Sequence, residues 1–190
     1  KCREVAEIWV ATDSGEIEDT VLSFNISKVK IFRRSKENAQ DHSSTESVML
    51  EFLKKERISG DTIFILSQAT SPFTLKHNYQ ECITALSDQN YDSLLSVVRN
   101  KSFYWNENGT PINYDYTKRP RRQDFRGTLQ ENGAFYISTV ENIKRSENRL
   151  SGKIGLVEMP DYSSIELDEK EDWAIAAHYM KRYILSQNTV

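Results

Sequence analysis

Ile63-Phe64-Ile65-Leu66-Ser67-Gln68-Ala69-Thr70-Ser71-Pro72 decides how the rest of the chain is read. Four apolar residues without interruption make the kind of run that a central parallel strand requires when both its faces are covered. The run breaks at once into an amide, three hydroxyls and a proline, and the period then changes. Leu75, Tyr79, Cys82, Ile83 and Leu86 fall on one helical face. Strand, polar loop and helix therefore form one unit.

The same unit recurs on either side. Residues 1 to 6 resemble the end of a helix, and Ile8-Trp9-Val10-Ala11 is a short buried strand. Asp13 and Glu16 have the spacing of a capping box ahead of Ile17, Val21 and Phe24, which recur at helical intervals. Val29, Ile31 and Phe32 make a second strand running into Arg33-Arg34-Ser35. Ser43 and Glu46 repeat the capping spacing before the apolar face Val48, Met49, Phe52 and Leu53. Downstream, Leu94, Leu95, Val97 and Val98, then Tyr136-Ile137, then Ile154 to Val157 read as strands, and Trp173 to Ile184 as a last amphipathic helix. Lys101 to Arg126 has no helical period but many aromatics, as an excursion with short strands would. Alternation of this kind predicts an α/β fold with a mostly parallel sheet covered on both faces. Ligands of such sheets bind beyond the carboxyl ends of the strands. Those ends carry Asp13, Arg34, Gln68, Thr70, Arg99 and Asn132, a set suited to a polar anionic ligand.

Composition narrows the class. The 190 residues suffice for one domain, and a net charge of −3 with 28% charged and 38% hydrophobic residues describes a soluble globular protein. No run approaches the roughly 18 apolar residues of a membrane span. The first residues lack a secretory core, so cytoplasmic residence is expected. Cys2 and Cys82 read as reduced thiols, with one disulfide as a minor alternative. His42, His77 and His178 have no zinc-like spacing.

Three constellations carry chemistry. Lys118, Arg119, Arg121, Arg122 and Arg126 stand against only Asp124 and Glu131, directly ahead of the strand that follows Asn132-Gly133. Such a cluster binds an anion, is a solvated loop, or is a nuclear import signal; the negative net charge argues against nucleic acid. Gln68 with its neighbouring hydroxyls reads a base, a sugar or phosphate, or else Ser71 or Thr74 merely caps the next helix. Glu166 and Asp168, two apart, share a face of an extended segment and suit Mg²⁺. Asp168 and Glu171 equally have capping-box spacing. A Gly-rich phosphate loop after the first strand is absent, since the 7 glycines form no G-x-G-x-x-G or G-x-x-x-x-G-K-[ST].

The order of these pieces resembles the acylneuraminate cytidylyltransferases, the CMP-sialic acid synthetases. The matching stretches are Trp9 to Asp13, Arg33-Arg34-Ser35 with Asp41 to Thr45, Gln68 to Pro72, Tyr91 to Val98, Lys118 to Asp124, Glu131 to Tyr136, and Ile165 to Asp168 with Asp172-Trp173. The resemblance implies a three-layer Rossmann-like nucleotide-diphospho-sugar transferase fold. It makes residues 1–190 one domain that lacks the family's N-terminal phosphate-loop segment, with a dimerisation and sugar-binding excursion over about 99–130. It also implies Mg²⁺-dependent transfer of CMP from CTP to a sialic acid. Arg34, Ser44, Thr45 and Gln68 would then face the nucleotide, and Gln68 would be catalytic together with Glu166 and Asp168, the metal ligands. Arg122, Gln123, Asn132 and Tyr136 would hold the nine-carbon sugar, with Arg99 or Lys101 a weaker candidate. A homodimer, in the cytoplasm or the nucleus, is the expected assembly. The alternatives are a catalytically silent dimeric binding homologue and a cytidylyltransferase for another 3-deoxy-2-ulosonic acid.

Overall fold

The computed structural model describes residues 2–40 and 42–186; Asp41 of the second resembling stretch lies outside them. Six strands occur in these residues: β1 (Ile8–Thr12), β2 (Val29–Arg33), β3 (Ile63–Ser67), β4 (Ser93–Asn100), β5 (Thr128–Thr139) and β6 (Ile154–Met159). They alternate with α1 (Gly15–Ser23), α2 (Thr45–Lys55), α3 (Lys76–Asp88), α4 (Val140–Ser146) and α5 (Asp172–Tyr179). β1 and β2 pair in parallel, and the other four strands form a sheet in the order β3-β5-β4-β6. β3, β4 and β6 run one way and β5 alone runs against them, so the sheet is mostly parallel.

Period-two alternation sorts the side chains into layers. On one face, Ile65 of β3, Leu94 and Val98 of β4 and Phe135 and Ile137 of β5 pack with Cys82 and Leu86 of α3. On the other, Phe64 meets Phe52 and Leu53 of α2 and Val140 and Ile143 of α4, and Leu95, Val97 and Tyr136 pack beside Leu66 and Leu150. Helix, sheet and helix are the three layers of the α/β fold.

Several sequence expectations are corrected. The strand buried on both faces is β4, whose first six residues are all buried; β3 is half-buried, with Ile63 37% exposed, because among the described residues it pairs with β5 alone. Tyr136-Ile137 lies inside a twelve-residue strand. The excursion holds one isolated bridge, Trp105 with Pro111, rather than strands. Residues 2 to 6 are not helical: the Lys28 ammonium collects the carbonyls of Cys2 and Val5, which a helix would have used internally. The last α-helix stops at Tyr179 and continues as a π-helical segment, Met180–Leu185.

Each capping pair is also displaced. Ser14, not Asp13, caps α1 by accepting from the Ile17 N–H. Ser44, not Ser43, caps α2 by accepting from Ser47. Neither Ser71 nor Thr74 caps α3, whose entry is held by the Asn78 side chain accepting from the Leu75 N–H at 2.8 Å. Asp168 does not cap α5 either; Asp172 reaches back instead, its Oδ2 accepting from the N–H groups of Asp168 and Glu169 at 3.0 and 2.7 Å. Cys2 and Cys82 are free thiols, and burial pushes the Cys82 thiol up to about 12.

Candidate active site

Because β5 is reversed, its beginning lies at the same edge of the sheet as the carboxyl ends of β3, β4 and β6. Three segments meet there. The Gln68 N–H, just past β3, donates to Ala134 O at 3.2 Å, and the Leu167 N–H donates to Thr70 O at 2.9 Å. The loop after β6 is tied to β5 through Asn132, whose Nδ2 donates to Ser163 O at 3.1 Å and Ser163 Oγ at 3.2 Å. The result is a cleft of about 440 Å³ lined by Gln130, Glu131, Asn132, Ser164, Ile165, Glu166, Asp168 and Asp172.

That cleft is acidic. Burial, and then the neighbouring Asp168 charge, push the Glu166 carboxyl above its ordinary value. Glu166 and Asp168 thus stand together at the cleft wall, and no ion pair among the described residues neutralises either carboxylate. Among the described residues no group of three or more His, Cys, Asp or Glu forms a metal cage. An ion held by Glu166 and Asp168 would therefore complete its shell with water and substrate oxygens, as Mg²⁺ does. Asn132 contributes the other unmet demand: it is 3% exposed, and its Oδ1 is buried without a partner. A buried acceptor of this kind costs about 1–3 kcal/mol until a donor arrives.

The remaining candidates lie outside the lining of this cleft. Arg34 follows β2 and pairs with Asp13 at the end of β1, which holds the Asp13 carboxyl below its ordinary value; Arg34 Nε is buried without a partner. Ser44 accepts a capping bond, so its oxygen is partly engaged, and Thr45 opens α2. Arg99 is held in a two-point ion pair with Glu158 at 2.8 and 2.5 Å across β4 and β6. Arg122 lines a separate cleft of about 530 Å³ with Lys101, Phe103, Arg119 and Arg121, and Gln123 is exposed beside it. Within one chain the structure thus brings Gln68, Asn132, Glu166 and Asp168 together, and places Arg122 elsewhere.

Tyr136 is 4% exposed, and its hydroxyl donates to Glu131; burial first, then that acceptor, push it up to about 12. Arg149 stacks on its ring at 4.8 Å and pairs with Glu46 of α2 at 2.5 Å. Arg149 was not singled out from sequence, since an isolated Arg in a polar loop carries no spacing signal, and Glu46, which has capping spacing from Ser43, pairs with Arg149 instead.

A family model described as cytidylyltransferase matches residues 1–175. The chain belongs to the cytidylyltransferase family. It is 35% identical over 187 residues to N-acylneuraminate cytidylyltransferase B of Danio rerio, a match covering 95% of this chain and 43% of that protein. It is 34% identical over 190 residues to N-acylneuraminate cytidylyltransferase of Oncorhynchus mykiss, covering 95% and 42%. This family member thus spans less than half the length of the curated relatives it matches. Among solved structures, 4-diphosphocytidyl-2C-methyl-D-erythritol synthase from Anaerococcus prevotii superposes with TM-score 0.66 at 15% identity, over 95% of this chain and 81% of that one. CMP:2-keto-3-deoxy-manno-octonic acid synthetase complexed with CTP gives 0.61 at 16%, over 94% and 82%. Both likenesses bear on the fold, which is that of Rossmann-like nucleotidyltransferases.

Proposed function

We propose that this chain is the nucleotidyl-transfer domain of a CMP-sialic acid synthetase. The observation that carries the reading is the meeting of Asn132, Glu166 and Asp168 in one acidic cleft at the carboxyl edge of the sheet, with the Gln68 amide beside Glu166 across Gly133, and the named relatives support it. The anomeric hydroxyl of the sugar attacks the α-phosphorus of CTP, the bond to pyrophosphate breaks, and the hydroxyl proton leaves to solvent. Glu166 and Asp168 would hold Mg²⁺, which neutralises phosphate charge when bound. Gln68 orients nucleotide and sugar through its amide, and Asn132 Oδ1 accepts from a substrate hydroxyl or N–H. The protein contributes chiefly position and electrostatics.

The excursion supports homodimer formation. Trp105, Ile112 and Tyr116 are 47%, 58% and 62% exposed there, an apolar patch that water penalises. A partner covering it also gives Arg122 a route to the sugar carboxylate of the neighbouring subunit. Sedimentation velocity reads this: the wild type should run as a dimer, and Trp105→Glu should shift it toward monomer.

Pyrophosphate release from CTP by the intact protein tests the reaction. Release that needs N-acetylneuraminate or another nine-carbon 2-ulosonic acid, and needs Mg²⁺, is expected. Release with 3-deoxy-manno-octulosonate alone would move the protein to the eight-carbon substrate, and no sugar-dependent release would make it a silent binding homologue. No helix among the described residues is long and apolar enough to cross a membrane. The basic run Lys118 to Arg126 offers an import signal, so cytoplasmic or nuclear residence accompanies this reading, and a fluorescent fusion would locate it.

A further inference from the structure

Gln68 and Glu166 approach each other across a residue that has no side chain. Gly133 sits at φ +66°, and a Cβ added to it would fall 2.5 Å from Glu166 Oε1 and nearer still to Gln68 Oε1. The amide and the carboxylate thus occupy the space that any other residue would fill.

The backbone that carries Gly133 to this point is a bulge. Leu95 of β4 faces Tyr136 and Val97 faces Glu131, so two steps along β4 match five along β5. The surplus residues, with Gly133 among them, are pushed out of the ladder at the end next to the cleft, as bulges do beside active sites. Ser96, 1% exposed, fastens the bulge. The Phe135 N–H donates to its Oγ at 3.0 Å, and the same hydroxyl lies 3.2 Å from Phe135 O. Asn132 then ties the bulge to the loop bearing Glu166.

We propose that Gly133 is a positioning residue for this reaction: its missing side chain and left-handed backbone let the Gln68 amide and the Glu166 carboxylate converge on one nucleotide and its metal. The proposal rests on the nucleotidyl-transfer reading. A Gly that served the turn alone would tolerate a residue fitted to left-handed φ. Asn is the best of these, so Gly133→Asn keeps the backbone affordable while adding the Cβ.

The test measures kcat, KM for CTP and sugar, and the dissociation constant of Mn²⁺ in the presence of CTP by electron paramagnetic resonance, on the intact protein. Gly133→Ala and Gly133→Asn should each lower kcat at least about 30-fold, as an ångström-scale misplacement does. They should also weaken Mn²⁺ binding at least about tenfold, while circular dichroism and the urea transition report a folded chain. Glu166→Asp withdraws the carboxylate by one methylene, so Gly133→Ala in that background should cost at least about tenfold less than in the wild type. Near-normal kcat and Mn²⁺ binding in either folded variant would overturn the proposal, as would equal losses in the two Glu166 backgrounds or a wild type that holds no Mn²⁺ with CTP. If no sugar supports turnover, the substrate reading fails by itself, and the Mn²⁺ constants still decide about Gly133.

Discussion

Asp168 and Asp172 lie one helical turn apart in sequence and do opposite work. The Asp172 carboxylate takes two backbone N–H groups and so shapes the loop, whereas the Asp168 carboxylate makes no hydrogen bond among the described residues and is exposed at the cleft. Asp168→Ala should therefore leave stability within about 0.5 kcal/mol, as for a surface position, and lower kcat by roughly 10² or more. Asp172→Ala should instead cost about 1 kcal/mol in a urea titration, the usual loss for a carboxylate capping backbone N–H groups. Near-normal turnover of Asp168→Ala would remove it from the metal site. Arg122 gives a second contrast. Its guanidinium stands in the basic cleft, so Arg122→Ala should raise KM for the acidic sugar roughly tenfold or more, the range of one charge-assisted hydrogen bond. Equal weakening of CTP and sugar would contradict that role. Spacing alone could not separate Asp168 as a ligand from Asp168 as a cap, because both readings need only a carboxylate near a helix start. What separates them is which N–H groups fold back on which oxygen.

At the scale of elements, the caps of α1 and α2 were legible to within one residue, and the error has a physical source. Ser, Thr and Asp beside one another offer two overlapping capping registers, and tertiary partners choose between them. Asp13 is drawn to Arg34, leaving Ser14 to cap α1; Ser43 donates to Glu37 O at 2.9 Å, leaving Ser44 to cap α2. Glu46 likewise turns from its own helix to Arg149, and this pair fastens α2 to the loop before β6. Arg149 as first cause holds the Glu46 carboxyl below its ordinary 4.5. A depressed folded value means that the stabilisation is fully present above about 4.5 and is lost as pH falls through the lower folded value. Glu46→Gln should accordingly be less stable than the wild type at pH 7, by on the order of 1 kcal/mol for a partly exposed pair. The two urea midpoints should converge in acid below pH 4.5. A gap that persists unchanged at low pH would show that the ion pair is not its cause. The bulge of β5 left only faint traces in sequence, a Gly and a Ser among apolar strand residues, because a register shift is a property of two strands and not of either one.

For the whole molecule, the alternation of strands and helices was legible because each segment's period reports which of its faces are buried. The neighbours were not. An apolar run such as Ile63 to Leu66 encodes covered faces but says nothing of paired edges, and the reversal of β5 depends on pairing between residues far apart in sequence. The two sheets share no strand pairing among the described residues, so side chains must join them. Phe52 of α2 does this: its ring lies 5.4 Å from Trp9 of β1, 5.2 Å from Phe32 of β2 and 6.0 Å from Phe64 of β3. Such pairs add about 0.5–1.5 kcal/mol each beyond burial. Phe52→Ala should then cost about 3–5 kcal/mol, a large fraction of the 5–15 kcal/mol of an ordinary domain. Because the loss falls on the joint rather than on either sheet, hydrogen exchange should rise first in β1, α1 and β2, while β4 and β5 stay protected. Uniform loss of protection across both sheets, or a urea midpoint close to the wild type, would mean that contacts other than Phe52 hold the two sheets together.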